Sequence, residues 1–382
     1  MPGESFIAKD FTVDVASDFD IDVTSDVASN VSSDVASDVA VIEVTVSTCS
    51  PESLDAGVRS LLAALGREVL HLDTLEGGTT WQLDTLEGGT TNTIIKCSTT
   101  GGLVLLVRIY GSGSEMLIDR AAEVANMVAL SQAGLSGQPL ATFTNGLVCS
   151  WVAGCPLTQQ LVASRAVARL VAQAMARMHS LARDPTMEVL WPRLTRYIGL
   201  LPPGWALGGW SKQSLMLELE ELKTDLEQSD SDLVLCHNDL NTPNIIYDGS
   251  KVSFIDVEYS GCSYAEFDVA NHFLEFAGLD GVLDYERCYP GKEFQLWWIR
   301  TYLDSYSAAL GRPEVGDERV VEFQGLVQRF RLCSHLLWAV WAELQAGMSK
   351  ITFDFHSIAE QRLAEYRRIK MAMGMGKAPG SS

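Results

Sequence analysis

The chain has 382 residues, with 28 Lys and Arg against 49 Asp and Glu, a net charge of −21; at roughly 150 residues per domain this suggests two domains or one large two-lobed unit. Apolar residues make up 47% and charged residues 20%, which is enough for a large core and rules out a chain disordered throughout. The negative balance excludes a general affinity for nucleic acid or anionic membranes, both of which reward positive charge, though not a local basic pocket.

Residues 1 to about 46 alternate Asp, Val, Ser and Ala, with eight Asp, Glu4 and Glu43 against Lys9 alone, so this segment carries −9 of the total. Only Phe6, Phe11 and Phe19 are large there, so 1–46 is expected to be a solvated acidic tail. It has no basic region followed by an apolar run and no Arg before Arg59, which argues against a secretory or mitochondrial leader. No run reaches the ~18 apolar residues of a membrane span. The eight cysteines show no CxxC spacing and read as reduced, mostly buried thiols. The expectation is a cytoplasmic protein with no stable membrane insertion.

LDTLEGGTT occurs at 72–80 and again at 83–91, a local tandem duplication rather than a solenoid repeat. Only one copy can occupy a given turn, so the other is expected to loop out. From about 93 the pattern becomes regular. TIIKCS and GLVLLVRIYG read as strands about Thr99–Gly102, residues 115–133 as a helix, and 140–152 as two strands about Asn145-Gly146, a strong hairpin cue. Helices are predicted at 158–182 and 212–227. Strand–loop–strand follows in VLCHNDLNTPNIIYD, then VSFIDVEYSG as a strand running into a loop. The segments 268–278, 292–310, 317–347 and 356–373 are predicted helical. A strand-rich first part and a helix-rich second part make a bilobal α+β layout.

The chemistry concentrates in His237-Asn238-Asp239-Leu240-Asn241-Thr242-Pro243-Asn244. An Asp followed five residues later by Asn, with His two before it, has the spacing of a kinase catalytic loop. The Asp must accept the acceptor's hydroxyl proton, and the Asn must reach a Mg²⁺ across the transferring phosphoryl. Phe254-Ile255-Asp256 then ends an apolar strand in a second carboxylate suited to Mg²⁺. His237 is expected to brace the loop. Gly88-Gly89-Thr90-Thr91-Asn92, between a helical approach and a strand, can bring backbone N–H groups close to phosphates, and fits a plain turn equally well. A cation should face those phosphates: Arg108, with Glu123 as anchor, or alternatively Lys96. Trp338 and Trp341 share a helix face, and Glu275 and Asp268 flank His272; Trp faces with carboxylates suit a small organic cation, and the Trp pair also suits core packing.

CHNDLNTPNIIYD, FIDVEYSGCSYAEFDVANHFLEFAG, DYERCYP, SHLLWAVWAELQA and ITFDF resemble the choline/ethanolamine kinase family from about Gly88 to Lys370. LVRIYG at 106–111, Asn244–Tyr247, Glu275–Gly278 and the short step to Asp284-Tyr285 resemble its ethanolamine kinases in particular. The resemblance implies a bilobal protein-kinase-like fold that phosphorylates ethanolamine with ATP and Mg²⁺, feeding phosphatidylethanolamine synthesis, with a homodimer possible. Its implied organisation is a tail at 1–46, an ATP-binding lobe at 47–152, a catalytic and substrate-binding lobe at 153–373, and a flexible end at 374–382. Asp239 matches the catalytic base, Asn244 and Asp256 the Mg²⁺ ligands, and nearby Glu258 is a further candidate. Gly88, Gly89, Thr90, Thr91 and Asn92 match the phosphate loop, Arg108 the ATP-facing arginine backed by Glu123, and Ser150–Pro156, with Trp151, the adenine hinge. Glu275, Tyr285, Trp338 and Trp341 match the amine pocket.

A primary ammonium offers three N–H donors that Glu275 can accept, whereas quaternary choline has none and depends on aromatic faces. Ile358, where the family resemblance leads one to expect tyrosine, thins that aromatic cage. Ala270 stands where the family has glycine. The nearest rival is a choline or dual kinase. An aminoglycoside-type phosphotransferase is disfavoured by FDVANHFLEFAG, and a non-catalytic pseudokinase by the presence of Asp239, Asn244 and Asp256.

Overall fold

The computed structural model describes residues 39–70, 80–86, 92–111, 116–182, 184–279, 281–349, 351–376 and 379. The first lobe is a six-stranded sheet in the order β1-β5-β6-β4-β3-β2. Its strands are β1 (Ala40–Ile42), β2 (Trp81–Leu86), β3 (Asn92–Thr99), β4 (Val104–Tyr110), β5 (Pro139–Phe143) and β6 (Gly146–Ser150). Helix α1 (Pro51–Glu68) lies between β1 and β2, and α2 (Arg120–Gln132) between β4 and β5.

Strand alternation sorts β4 into two faces. Leu105, Val107 and Ile109 are buried with Val58, Leu61 and Leu65 of α1, forming the core of this lobe. Leu106, Arg108 and Tyr110 therefore project to the opposite face, and Leu106 and Tyr110 pack against the larger core. The Asn145-Gly146 hairpin joins β5 to β6 as expected. A Cβ at Gly146 would collide with the Arg108 carbonyl and the Phe143 ring, so glycine is what lets β6 approach β4.

The second lobe begins with β7 (Cys155–Pro156), whose residues pair with Tyr247 and Ile246. Then come α3 (Gln159–Val162), α4 (Arg165–His179), α5 (Leu190–Leu200), β8 (Ala206–Leu207), β9 (Trp210–Ser211), α6 (Lys212–Leu226), β10 (Leu233–Cys236), β11 (Ile245–Tyr247), β12 (Val252–Phe254) and β13 (Gly261–Tyr264). Helices α7 (Ala265–Leu274), α8 (Tyr285–Cys288), α9 (Lys292–Ala309), α10 (Asp317–Met348) and α11 (Phe355–Ala372) complete it. Helix α10 buries Phe323, Val327, Phe330, Leu337 and Trp338 along 32 residues and is the spine of this lobe. The architecture is the expected bilobal α+β fold. No helix among the described residues is long and apolar enough to cross a membrane.

Several expectations are corrected. The acidic segment does not stay solvated as far as residue 46. Strand β1 pairs in parallel with β5, and Val39, Ile42 and Val46 are buried. Asn145 clamps the Val46 backbone, its Oδ1 accepting from N at 3.0 Å and its Nδ2 donating to O at 2.8 Å. The change comes where the Asp/Ser alternation gives way to the β-branched run VAVIEVTV, which can fill a core. Residues 1–38 lie outside the described residues. Helix α1 was missed, although Ser50 and Ser53 form a reciprocal capping box at its start.

The approach to the glycines is a strand rather than a helix. Leu83 to Leu86 of the second copy belong to β2, with Leu83 opposite Cys97 and Leu86 opposite Ile94. Gly88, Gly89, Thr90 and Thr91, and most of the first copy, lie outside the described residues. The predicted helix 158–182 is broken into α3 and α4, with Ser164 as the N-cap of the second.

Candidate active site

The loop after β10 carries the proposed base. Asn238 sits at φ 64 and Asp256 at φ 57, the two described non-glycine residues in the left-handed region. The strain at Asn238 is held from below by Asp268, which is fully buried. Asp268 Oδ1 accepts the Asn238 N–H at 2.7 Å, and Oδ2 accepts the His237 N–H at 2.8 Å and bonds His179 Nε2 at 3.0 Å. This corrects the expectation that Asp268 joins Glu275 on the acceptor side: all its bonds go to the loop and its brace. His179 bonds Tyr302 through its other ring nitrogen at 2.8 Å. The cluster of His179, Cys236 and Asp268 is therefore a brace, its histidine already engaged on both sides. His237 links the loop to the next strand, with Nε2 bonded to the Ile255 carbonyl at 3.0 Å.

Two amides position Asp239. Asn241 Nδ2 donates to Oδ1 at 3.2 Å, and Asn244 Nδ2 donates to the Asp239 carbonyl at 2.9 Å and to Oδ2 at 3.3 Å. Asn241 also caps the short turn Thr242–Asn244 by accepting the Asn244 N–H at 3.1 Å. Asp239 is half-buried as a residue. Its pKa is nevertheless pushed well above the usual carboxylate range, first by desolvation and then by Glu275, Asp256 and Glu258, with Asn241 opposing. Three other carboxylates thus lie near enough to Asp239 to burden its charge.

Opposite them stand two arginines. Arg108 pairs with Glu123 and with Asp256, the latter at 2.9 Å. Arg120, which the sequence did not single out, bridges Glu123 at 2.9 Å and Glu258 at 3.1 Å and lies 3.8 Å over the Tyr110 ring. Asn92 donates to Glu258 at 3.2 Å. Burial works against the Arg108 charge, but Asp256 and Glu258 outweigh it and hold its pKa above the usual value. Burial, reinforced by Asp256, raises Glu258 despite the two arginines. Lys96 instead places its ammonium 4.8 Å over the Trp151 ring. Trp151 itself lies at the lobe junction, its backbone N–H donating to the Val104 carbonyl at 3.3 Å. Asp239, Asn244, Asp256 and Glu258 all offer hard oxygen atoms, and Asp256 and Glu258 burden the charge on Asp239. Oxygen donors of this kind suit a divalent cation of the Mg²⁺ type.

The acceptor-side residues also come together. Trp338 and Trp341 meet edge to face at 5.4 Å, and Tyr259 meets Trp338 at 5.3 Å. Both indoles are fixed, Trp338 Nε1 donating to Asn271 and Trp341 Nε1 to the Tyr259 hydroxyl, each at 2.7 Å. Tyr259 thus packs with both tryptophans, a neighbour that the sequence reading missed; its place three after Asp256 was the available signal. Glu275 is buried and accepts from Arg362 Nη2 at 2.7 Å. Tyr285 packs edge to face on His335 at 5.0 Å, and its hydroxyl is pushed up to about 12, chiefly by burial. Ile358 is buried in the same cluster as Tyr285 and Leu274.

Comparison with known proteins agrees with this layout. A family profile described as choline/ethanolamine kinase matches residues 83–367. Mouse ethanolamine kinase 2 is 37% identical over 290 residues, 73% of this chain and 74% of that protein. Mouse ethanolamine kinase 1 is 37% identical over 306 residues, 76% of this chain and 84% of that protein. Among solved structures, Plasmodium vivax ethanolamine kinase superposes with a TM-score of 0.71 at 24% identity, covering 84% of this chain and 90% of that one. Choline kinase from Cryptosporidium parvum superposes with a TM-score of 0.68 at 20% identity, covering 83% and 96%. At these identities the two structures speak for the fold. With the profile spanning most of the chain and the mouse relatives matching along their length, this chain belongs to the choline/ethanolamine kinase family.

Proposed function

We propose that the protein transfers the terminal phosphoryl group of ATP to the hydroxyl of ethanolamine, yielding phosphoethanolamine for phosphatidylethanolamine synthesis in the cytoplasm. The observation that carries this reading is the convergence on Asp239: amides fix it, and within its electrostatic reach lie Glu275 and the carboxylates Asp256 and Glu258 that Arg108 and Arg120 pair with.

Asp239 is the base that takes the hydroxyl proton. Its raised pKa makes it a stronger acceptor than an ordinary carboxylate, and Asn241 and Asn244 keep it aimed. Asn244, Asp256 and Glu258 would hold Mg²⁺, which supplies charge neutralisation for the transferring group when bound. Arg108, anchored by Glu123, offsets phosphate charge, while Gly88–Asn92 and Ser150–Pro156 with Trp151 form the nucleotide site. Glu275, Tyr285, Trp338 and Trp341, joined by Tyr259, enclose the amine. The lobes carry these roles as 47–152 for nucleotide and 153–373 for catalysis and acceptor, with the correction that 39–46 belong to the first lobe.

The test is ADP release by the purified protein with ATP and Mg²⁺, comparing ethanolamine and choline at equal concentration. Turnover with ethanolamine well above choline is expected. Asp239→Asn should abolish most turnover while ATP still binds, and near-normal turnover would defeat the base assignment. The wall of Tyr259, Trp338 and Trp341 favours one second reading, a dual enzyme that also accepts choline, and comparable turnover with both amines would select it.

A further inference from the structure

Glu275 ends α7 and Arg362 lies in the middle of α11, and the two meet with both side chains almost fully buried. Their contact uses one oxygen: Oε1 accepts from Nη2 at 2.7 Å. Glu275 Oε2, Arg362 Nε and Nη1, and the Tyr285 hydroxyl are all buried without a hydrogen-bond partner among the described residues. Buried polar atoms are seldom left unpaired, so four in one place mark a point where a ligand or water supplies partners.

The pairing changes what the carboxylate can recognise. A guanidinium at this range cancels most of the attraction that Glu275 would exert on a bare cation. The directional lone pairs of Oε2 remain, and of the amine head groups only one that carries an N–H can use them. A primary ammonium has three such groups and a quaternary one none. One helical turn before Arg362, on the same face of α11, Ile358 offers an aliphatic surface with no π face. We infer that Arg362 is a specificity-determining positioning residue: by neutralising and orienting Glu275 it makes that carboxylate a reader of N–H groups rather than of charge, and so biases the site toward primary amines. This rests on the reading of Glu275 as the amine acceptor.

The test is kcat and KM of the full chain for ethanolamine, N-methylethanolamine, N,N-dimethylethanolamine and choline. Wild type should lose kcat/KM with each added methyl. Arg362→Met should flatten that series and reduce the ethanolamine-to-choline ratio about tenfold, the scale of one charge-assisted hydrogen bond. The change should fall in KM, and Arg362→Lys should restore part of the ratio. Equal loss of kcat for all four amines, or an unchanged ratio in a folded variant, overturns the inference. Should Arg362→Met fail to fold, the neutral pair Glu275→Gln/Arg362→Met carries the test. Its methylation series should match that of Glu275→Gln alone, and a further change would mean that Arg362 acts independently of Glu275. Failure of the underlying reading looks different: Glu275→Gln would leave the ethanolamine KM unmoved.

Discussion

Replacing Asp268 by Asn tests whether the catalytic loop is held from beneath. The carboxylate makes three bonds, at 2.7, 2.8 and 3.0 Å, with full burial. Asparagine keeps a single acceptor oxygen. Placed where Oδ2 was, that oxygen retains the His237 and His179 contacts, but the new amide then opposes the Asn238 N–H, donor against donor. One charge-assisted bond is lost, a buried N–H is orphaned, and the surviving bonds weaken to neutral ones. Together these cost about 3–5 kcal/mol. Asn238 is then free to leave its left-handed conformation, and Asp239 turns with it. A misplacement near 1 Å is enough to cost kcat about a hundredfold. The assay is steady-state ADP release alongside thermal melting, with ATP binding measured separately. The expected result is a large fall in kcat, a lower melting temperature and nearly unchanged ATP affinity. A folded variant with kcat within about threefold of wild type would refute the anchoring argument. Burial works to raise the Asp268 pKa, but the bonds from His179 and the His237 backbone outweigh it and leave it below 3.8. Its stabilisation is therefore present above the unfolded pKa and is lost as pH falls through the folded value, so wild type and variant should converge as acid protonates the carboxylate.

Truncation separates the acidic segment into two parts. Removing 1–38 should leave melting and turnover unchanged, whereas removing 1–46 deletes Val39, Ile42 and Val46 and should cost on the order of 5 kcal/mol, read by urea unfolding. Equal stability of the two truncations would contradict the β1–β5 pairing. Arg108→Lys cannot span both Glu123 and Asp256 with one ammonium, so calorimetry should show ATP binding weakened about tenfold or more; wild-type affinity would mean that a point charge suffices. Glu266 is fully buried beside Arg319 at 3.5 Å, and burial pushes its carboxyl up from 4.5 to about 7. Its stabilising contribution is complete below 4.5 and is lost as pH rises through about 7. Glu266→Gln should accordingly gain about 3 kcal/mol relative to wild type between mildly acidic and alkaline pH. Parallel stability–pH curves would disprove this.

Much of the fold was legible because it rests on short-range rules. Alternation along β4 separates Leu105, Val107 and Ile109 from Arg108, Asn145-Gly146 marks a hairpin, and the apolar periodicity of 317–347 matches α10 closely. The loop from His237 to Asn244, and Asp256 just after β12, could be picked out by spacing alone, since the chemistry expected of them needs those residue types at those intervals. Arg108, the cation favoured for its apolar strand neighbours, kept Lys96 as a rival until the packing of α2 and the second lobe put Glu123 and Asp256 around Arg108 and left Lys96 over Trp151. The short strand β1 was hidden by the acidic pattern before it, and its stability comes from a partner about a hundred residues away. Asp268, Arg120 and Arg362 gave no sign of their partners for the same reason. Each acts through a partner that the chain approaches only after folding, and a charge in sequence shows its sign but not which charge it will meet. The sequence by itself determined most of the elements and marked the candidate reacting groups; tertiary packing decided which groups hold them in place, because burial and pairing of charge are properties of the assembled core.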